Sequence, residues 1–112
     1  MIRYRVDITD AAEADLDPVR RWLVLNAGID AADRFLDEVV ARIDTLEAFP
    51  NRGSVPAPLA DLDETTRQLP VGAWRLLYDV DEGSGGEGIV TIFAVVHERR
   101  SLVDALAERQ RR

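Results

Sequence analysis

The stretch Arg67-Gln68-Leu69-Pro70-Val71-Gly72-Ala73-Trp74-Arg75-Leu76-Leu77-Tyr78-Asp79-Val80 decides how this chain folds. Val71-Gly72-Ala73 reads as a turn between two strands, 66–71 and 74–80. Pro70 has no N–H to give a ladder, which suits the first strand to a sheet edge or a strand end. In the second strand, alternation puts Trp74, Leu76, Tyr78 and Val80 on one face and Arg75, Leu77 and Asp79 on the other. Downstream, Asp81 through Gly88 is acidic and rich in glycine, as a hairpin loop is. The run Ile89-Val90-Thr91-Ile92-Phe93-Ala94-Val95-Val96 is almost wholly apolar, which predicts a central strand covered on much of both faces.

Upstream, Ile2, Tyr4, Val6 and Ile8 alternate with Arg3, Arg5 and Asp7, the period of a half-buried strand. Asp10 with Glu13 has the pattern of a capping box. Pro18 divides the next segment into a short helix over 11–16 and a second piece from Pro18 to Asn26 capped by Asp17, a single kinked helix being the alternative. Gly28 suits a helix end. Asp30 with Asp33 opens the next helix, in which Phe35, Leu36, Val39, Val40, Ile43 and Leu46 recur at three- and four-residue spacing over about 31–48. So short a link predicts an antiparallel helical hairpin. Residues 50–65 hold Pro50, Gly53, Pro56 and Pro58 and read as a long irregular loop. The end, 101–112, is polar and weakly helical.

Two helices grouped before three hairpin-linked strands imply an α+β fold, β-α-α-β-β-β with a terminal helix. An antiparallel sheet would carry the helical hairpin on one face. Its other face would be open to solvent or to a partner. The 112 residues suit a single domain, 1–112.

At 46% hydrophobic and 31% charged the chain is globular rather than disordered. It has no cysteine, which excludes disulfides and thiolate metal sites and fits a reducing cytoplasm. With one histidine besides, a metal centre is not expected, and no cofactor motif is present. The N-terminus is neither a signal peptide nor a membrane span. Net charge is −7, and all 14 basic residues are arginine. An acidic protein is repelled by nucleic acid at long range, so direct DNA binding is not expected. The exception to the acidic balance is the end of the chain, where Arg99, Arg100, Arg109, Arg111 and Arg112 outnumber Glu98, Asp104 and Glu108.

No P-loop, dinucleotide fingerprint, HExxH or GxSxG occurs. What remains is a cluster near the sheet end: Arg67, Arg75, His97, Arg99 and Arg100. Guanidiniums with an imidazole can bind an anion or a phosphodiester. RNA cleavage needs a base for the 2′-hydroxyl, cations for the charge at phosphorus and an acid for the leaving oxygen. His97 could be the acid or base, and Arg75 with Arg99 or Arg100 the cations. The plainer alternative stays open. Arg75 would pair with Asp79 or Glu64, His97 would be a strand-end residue bonded to backbone, and Arg99 and Arg100 would be surface charge. Trp22, Phe35, Phe49, Trp74 and Phe93 read as core residues.

The order of these motifs resembles the RelE/ParE superfamily of toxins from type II toxin–antitoxin systems, also called plasmid-stabilisation proteins. The resemblance rests on the stretch from Arg67 to Val80, on Ile92 to Val96 followed by His97-Glu98-Arg99-Arg100, on Tyr4 to Thr9 with Ala12 and Leu16, and on Leu46 to Pro50 with Gly53. It spans about residues 2–103. It implies a bacterial cytoplasmic toxin neutralised by a cognate antitoxin, which wraps it with an extended or helical segment. ParE-type members inhibit DNA gyrase and are not enzymes. RelE-type members are mRNA endoribonucleases acting on the ribosome. In the second case the resemblance makes Arg75, His97 and Arg99 catalytic. In either case Arg67, Arg75, Arg99 and Arg100 are candidate binding residues. The chain lacks lysine, has no aromatic after Arg100 and is acidic, all departures from the nuclease pattern. The gyrase inhibitor is therefore the first expectation, the nuclease the alternative, and a non-toxic antitoxin-binding member the third.

Overall fold

The computed structural model describes residues 4–55, 66–83, 88–100 and Asp104. The elements are β1 (Tyr4–Ile8), α1 (Asp10–Ala27), α2 (Ile29–Thr45), β2 (Thr66–Val71), β3 (Trp74–Asp81) and β4 (Gly88–His97). The strands form one sheet in the order β1-β4-β3-β2, with the helices packed together on one face. The expectations for residues 2–3, for 56–65, for 84–87 of the glycine-rich loop and for a terminal helix over 101–112 concern residues outside those described, Asp104 apart.

The α+β architecture is as expected, but the sheet is mixed rather than wholly antiparallel. β1 runs parallel to β4, with Tyr4 opposite Gly88 and Ile8 opposite Ile92. The cause lies after α2. Ser54 pairs antiparallel with Gln68, so the chain runs back along the outer edge of β2 before turning into it. That extra pass sets the direction of β2 and, through two reversals, brings β4 parallel to β1. Part of the segment expected to be irregular is thus a bridge that shields the Pro70-bearing edge.

The helices begin and end for local reasons. Thr9, not Asp10, is the cap of α1. Its backbone is extended and its hydroxyl accepts the Ala12 N–H at 3.1 Å. Asp10 and Glu13 sit in the first turn, where the helix dipole favours acids. α1 is a single helix that continues through Pro18. Ala14, whose carbonyl loses a partner there, and Pro18 are both exposed, so water can satisfy the freed group. Gly28 is the whole link between the helices. Its φ of 92° and ψ of 163° lie where only glycine is at ease, and its N–H reaches the Val24 carbonyl at 3.2 Å. α2 starts at once on Ile29, so no side chain of Asp30 or Asp33 caps it.

The main core lies between hairpin and sheet. It joins Ala12, Val19, Phe35, Val39 and Leu46 of the helical half to Leu69, Val71, Leu76, Tyr78, Val90 and Ile92 of the strands. β4 is central and largely buried, as its apolar run predicted. A bulge interrupts its pairing with β3. Leu77 faces Ala94 but Tyr78 faces Ile92, which leaves Phe93 as the extra residue. Next to the bulge, the Asp15 carboxylate accepts the Val95 N–H at 3.0 Å and pins α1 to β4. The far face is not simply open, because Leu77, Ala94 and Val96 are buried there with Phe93 packed against them. The aromatic residues also divide. Phe35 is in the core, whereas Trp22 and Phe49 are 53% and 64% exposed.

Candidate functional site

The β2–β3 turn brings Arg75 to the end of the sheet where His97, Arg99 and Arg100 lie, and leaves Arg67 further along β2. Val71 pairs with Trp74, so Gly72-Ala73 is a two-residue turn, and Gly72 takes a φ of 58° at its first position. That is the signature of a hairpin turn that follows the strand twist. Trp74 at the start of β3 pairs with His97 at the end of β4, and Arg75 pairs with Val96.

Arg75 projects from the far face. Its guanidinium donates to Gln68 Oε1 at 2.9 Å and to the Glu98 carbonyl. Both acceptors are neutral, and no carboxylate among the described residues forms an ion pair with it. Its Nε is buried and has no partner among the described residues. The pairing with Asp79 does not occur; that carboxylate accepts from the Thr66 hydroxyl at 2.9 Å. Glu64 lies outside the described residues. A shallow groove of about 250 Å³ runs past Arg75, lined also by Ser54, Gln68, Pro70 and Glu98.

His97 is on the opposite face. Its ring meets Trp74 edge-on, with centroids 5.4 Å apart, and its Nδ1 accepts the Arg99 N–H at 3.2 Å. This is the backbone-bonded strand-end histidine of the plainer reading. The turn after it is closed by Arg100 N–H on the His97 carbonyl at 3.0 Å and by Glu98 N–H on the Ala73 carbonyl at 2.8 Å. Arg99 and Arg100 are exposed beyond it.

Arg67 does separate work. On the helix-facing side of β2, it donates to the Gly53 carbonyl at 2.7 Å and the Asn51 carbonyl at 3.3 Å. Tyr78, fully buried on the neighbouring strand, accepts the Gly53 N–H on its hydroxyl at 2.9 Å. Burial raises the phenol above its ordinary range, and the Gly53 N–H, Arg67 and Arg52 pull back against that rise. Arg67 therefore anchors the segment that carries Ser54. The structure brings His97, Arg99 and Arg100 together at one strand end, with Arg75 behind them on the other face and Arg67 apart from all four.

A feature not foreseen lies on the His97 side. Pro18, Val19 and Trp22 of α1, with Trp74 and His97, line a cleft of about 330 Å³. Trp22 stands edge-on to Trp74 at 5.9 Å, and Phe35 packs on Trp74 from α2 at 5.3 Å. The sequence did hold a signal. Pro18, Trp22 and Leu25 recur at spacings of four and three, so they form a helix stripe of their own, separate from the buried Ala12, Leu16, Val19 and Leu23. Among the described residues no group of three or more histidines or acids could hold a metal, and no helix is long and apolar enough to cross a membrane.

A family model described as the ParE toxin of the type II toxin-antitoxin system, parDE, matches residues 6–102 of this chain. Among solved structures, the chain is similar to one titled "Chromosomal ParDE TA system from P. aeruginosa", with a TM-score of 0.64 and 18% sequence identity. That match covers 85% of this chain and 96% of the other. No curated protein matches.

Proposed function

The chain belongs to the ParE toxin family of type II toxin–antitoxin systems, and from that membership we propose that it is a toxin that inhibits DNA gyrase by binding and is held inactive by a cognate antitoxin in the cytoplasm. The observation that carries the choice against messenger RNA cleavage is the division of the candidate residues between two faces. A nuclease needs its acid–base group and its cations around one phosphodiester. Here His97 packs on Trp74 on the helix face while Arg75 extends from the other. Set on opposite faces, the two are poorly arranged to act together on one phosphate, which favours the binding role. A binding role asks less of them. Arg75, Arg99 and Arg100 are cations near one sheet end, and Arg75 has only neutral partners, so a carboxylate of a partner would meet an uncompensated charge.

The test is growth after induction of wild type and His97→Ala without antitoxin, with transcripts mapped in parallel. Folded His97→Ala is expected to arrest growth as wild type does, with translated messages uncut. Loss of arrest in a folded His97→Ala protein, together with defined cuts made by wild type, would establish the nuclease instead.

A further inference from the structure

We propose that residues 19–27, the part of α1 between Pro18 and Gly28, are a flap that swings on those two residues and gates the cleft beside Trp22. Both ends of the segment are pivots. Pro18 has no N–H, so the helix ladder lacks a rung there and the Ala14 carbonyl has no helical partner. Sharp bends in helices concentrate at such positions. At the other end Gly28 is the whole link to α2, with a φ of 92° and a ψ of 163°. A Cβ built on it would meet nothing within 4 Å, so no neighbouring atom crowds the link.

The two halves of α1 are held differently. Before Pro18 the helix is locked to β4 by polar bonds. The Thr9 N–H reaches the Ile92 carbonyl at 2.9 Å, and the Asp15 carboxylate accepts the Val95 N–H at 3.0 Å. Beyond Pro18, no side chain of 19–27 makes a hydrogen bond or ion pair outside the segment among the described residues. The Asn26 amide donates to the Trp22 carbonyl at 2.8 Å, within the segment. Val19 is its one buried residue, and Leu23 is partly buried against the core. Trp22 meets Trp74 edge-on at 5.9 Å. So few holds mark a segment that opens without global unfolding. Rotation about the line from Pro18 to Gly28 lifts the Trp22 indole off Trp74. That widens the cleft of about 330 Å³ lined by Pro18, Val19, Trp22, Trp74 and His97. Such collective motion belongs to the microsecond-to-millisecond range.

Amide hydrogen exchange and NMR relaxation dispersion on the purified chain test the flap. A swing stretches the bonds that cross the proline, from the N–H groups of Val19, Arg20 and Arg21 to the carbonyls one turn back. It spares those of Trp22 and Leu23, whose acceptors lie at Pro18 and Val19. Exchange at Val19, Arg20 and Arg21 is therefore about tenfold faster than at Ala14–Asp17, and slower again at Trp22 and Leu23. The indole N–H groups of Trp22 and Trp74, the two tryptophans of the chain, show dispersion with the same rate constant as those three amides. Pro18→Ala restores the missing rung and lowers the open population by about fivefold, the worth of one recovered hydrogen bond. A thermal melt confirms that the variant is folded. Equal protection from Ala14 to Leu23 overturns the proposal. So does protection that falls steadily from Val19 to Ala27, which is fraying of a helix end, and so does exchange that Pro18→Ala leaves unchanged.

Discussion

Replacing Tyr78 with phenylalanine removes one oxygen from a fully buried side chain, and the structure defines what that oxygen does. The hydroxyl accepts the N–H of Gly53, itself buried, at 2.9 Å. Phenylalanine fills the same space but leaves that N–H without its partner. A neutral hydrogen bond contributes about 1 kcal/mol net, but an orphaned buried donor brings the cost to about 1–3 kcal/mol. Taking about 2 kcal/mol, and about 4 °C per kcal/mol for a domain of this size, Tm falls by about 8 °C. The pH dependence gives a second check. Burial holds the Tyr78 phenol above its ordinary value of 10.0 in the folded protein. The folded state therefore keeps its proton where the unfolded chain has released it. The associated stability is complete below the unfolded value and is lost as pH rises through the folded one. The Tyr78→Phe variant has no such proton, so the gap between it and wild type narrows from about pH 8 to about pH 11. Tyr4, whose phenol is also raised, chiefly by its hydrogen bond to Glu82, is common to both proteins and cancels. Urea unfolding at the two pH values measures this. A variant within about 0.5 kcal/mol of wild type at the lower pH, or a gap that widens with pH, refutes the reasoning.

Other substitutions probe other parts of the fold. Gly28→Ala forces a non-glycine residue to φ 92° and ψ 163° at the only link between the helices, which costs about 1–3 kcal/mol in chemical denaturation. Thr9→Ala removes the hydroxyl cap of α1 and costs about 1 kcal/mol, whereas Asp10→Ala costs less, which separates the observed cap from the expected one. Leu77→Ala, in the buried patch on the far face, costs about 2–5 kcal/mol by the same measurement; a loss under about 1 kcal/mol would mean that this face is wet in solution.

Most of the architecture was legible because hydrophobic periodicity reports the face that a residue turns to the core. The strand 74–80, its alternate faces and the central position of the 89–96 run all follow from that. The parallel pairing of β1 was not legible. It depends on the pairing of Ser54, a single residue in a stretch whose prolines and glycine read as loop, with Gln68 of β2. The Asp15 bond at the β4 bulge was equally hidden, since it joins residues 80 apart in the chain. At the site, residue types drew Arg67, Arg75 and His97 into one cluster. Strand alternation already separated Arg75 from Trp74, but the register that sets His97 beside Trp74 is tertiary information. Arg67 gave no sign of its real task, because a guanidinium that caps loop carbonyls looks in sequence like one that waits for a phosphate. At Pro18 a broken helix was the first expectation and a single helix the alternative, and the single helix forms. Tertiary packing of α1 offsets the roughly 3 kcal/mol that proline costs in a helix interior.

The gyrase-binding role is tested most directly by a DNA gyrase supercoiling assay with the purified, folded chain. Inhibition is expected in the presence of ATP with cleaved DNA trapped on the enzyme, retained by His97→Ala and relieved by antitoxin. Full supercoiling activity at a large excess of folded toxin would contradict it.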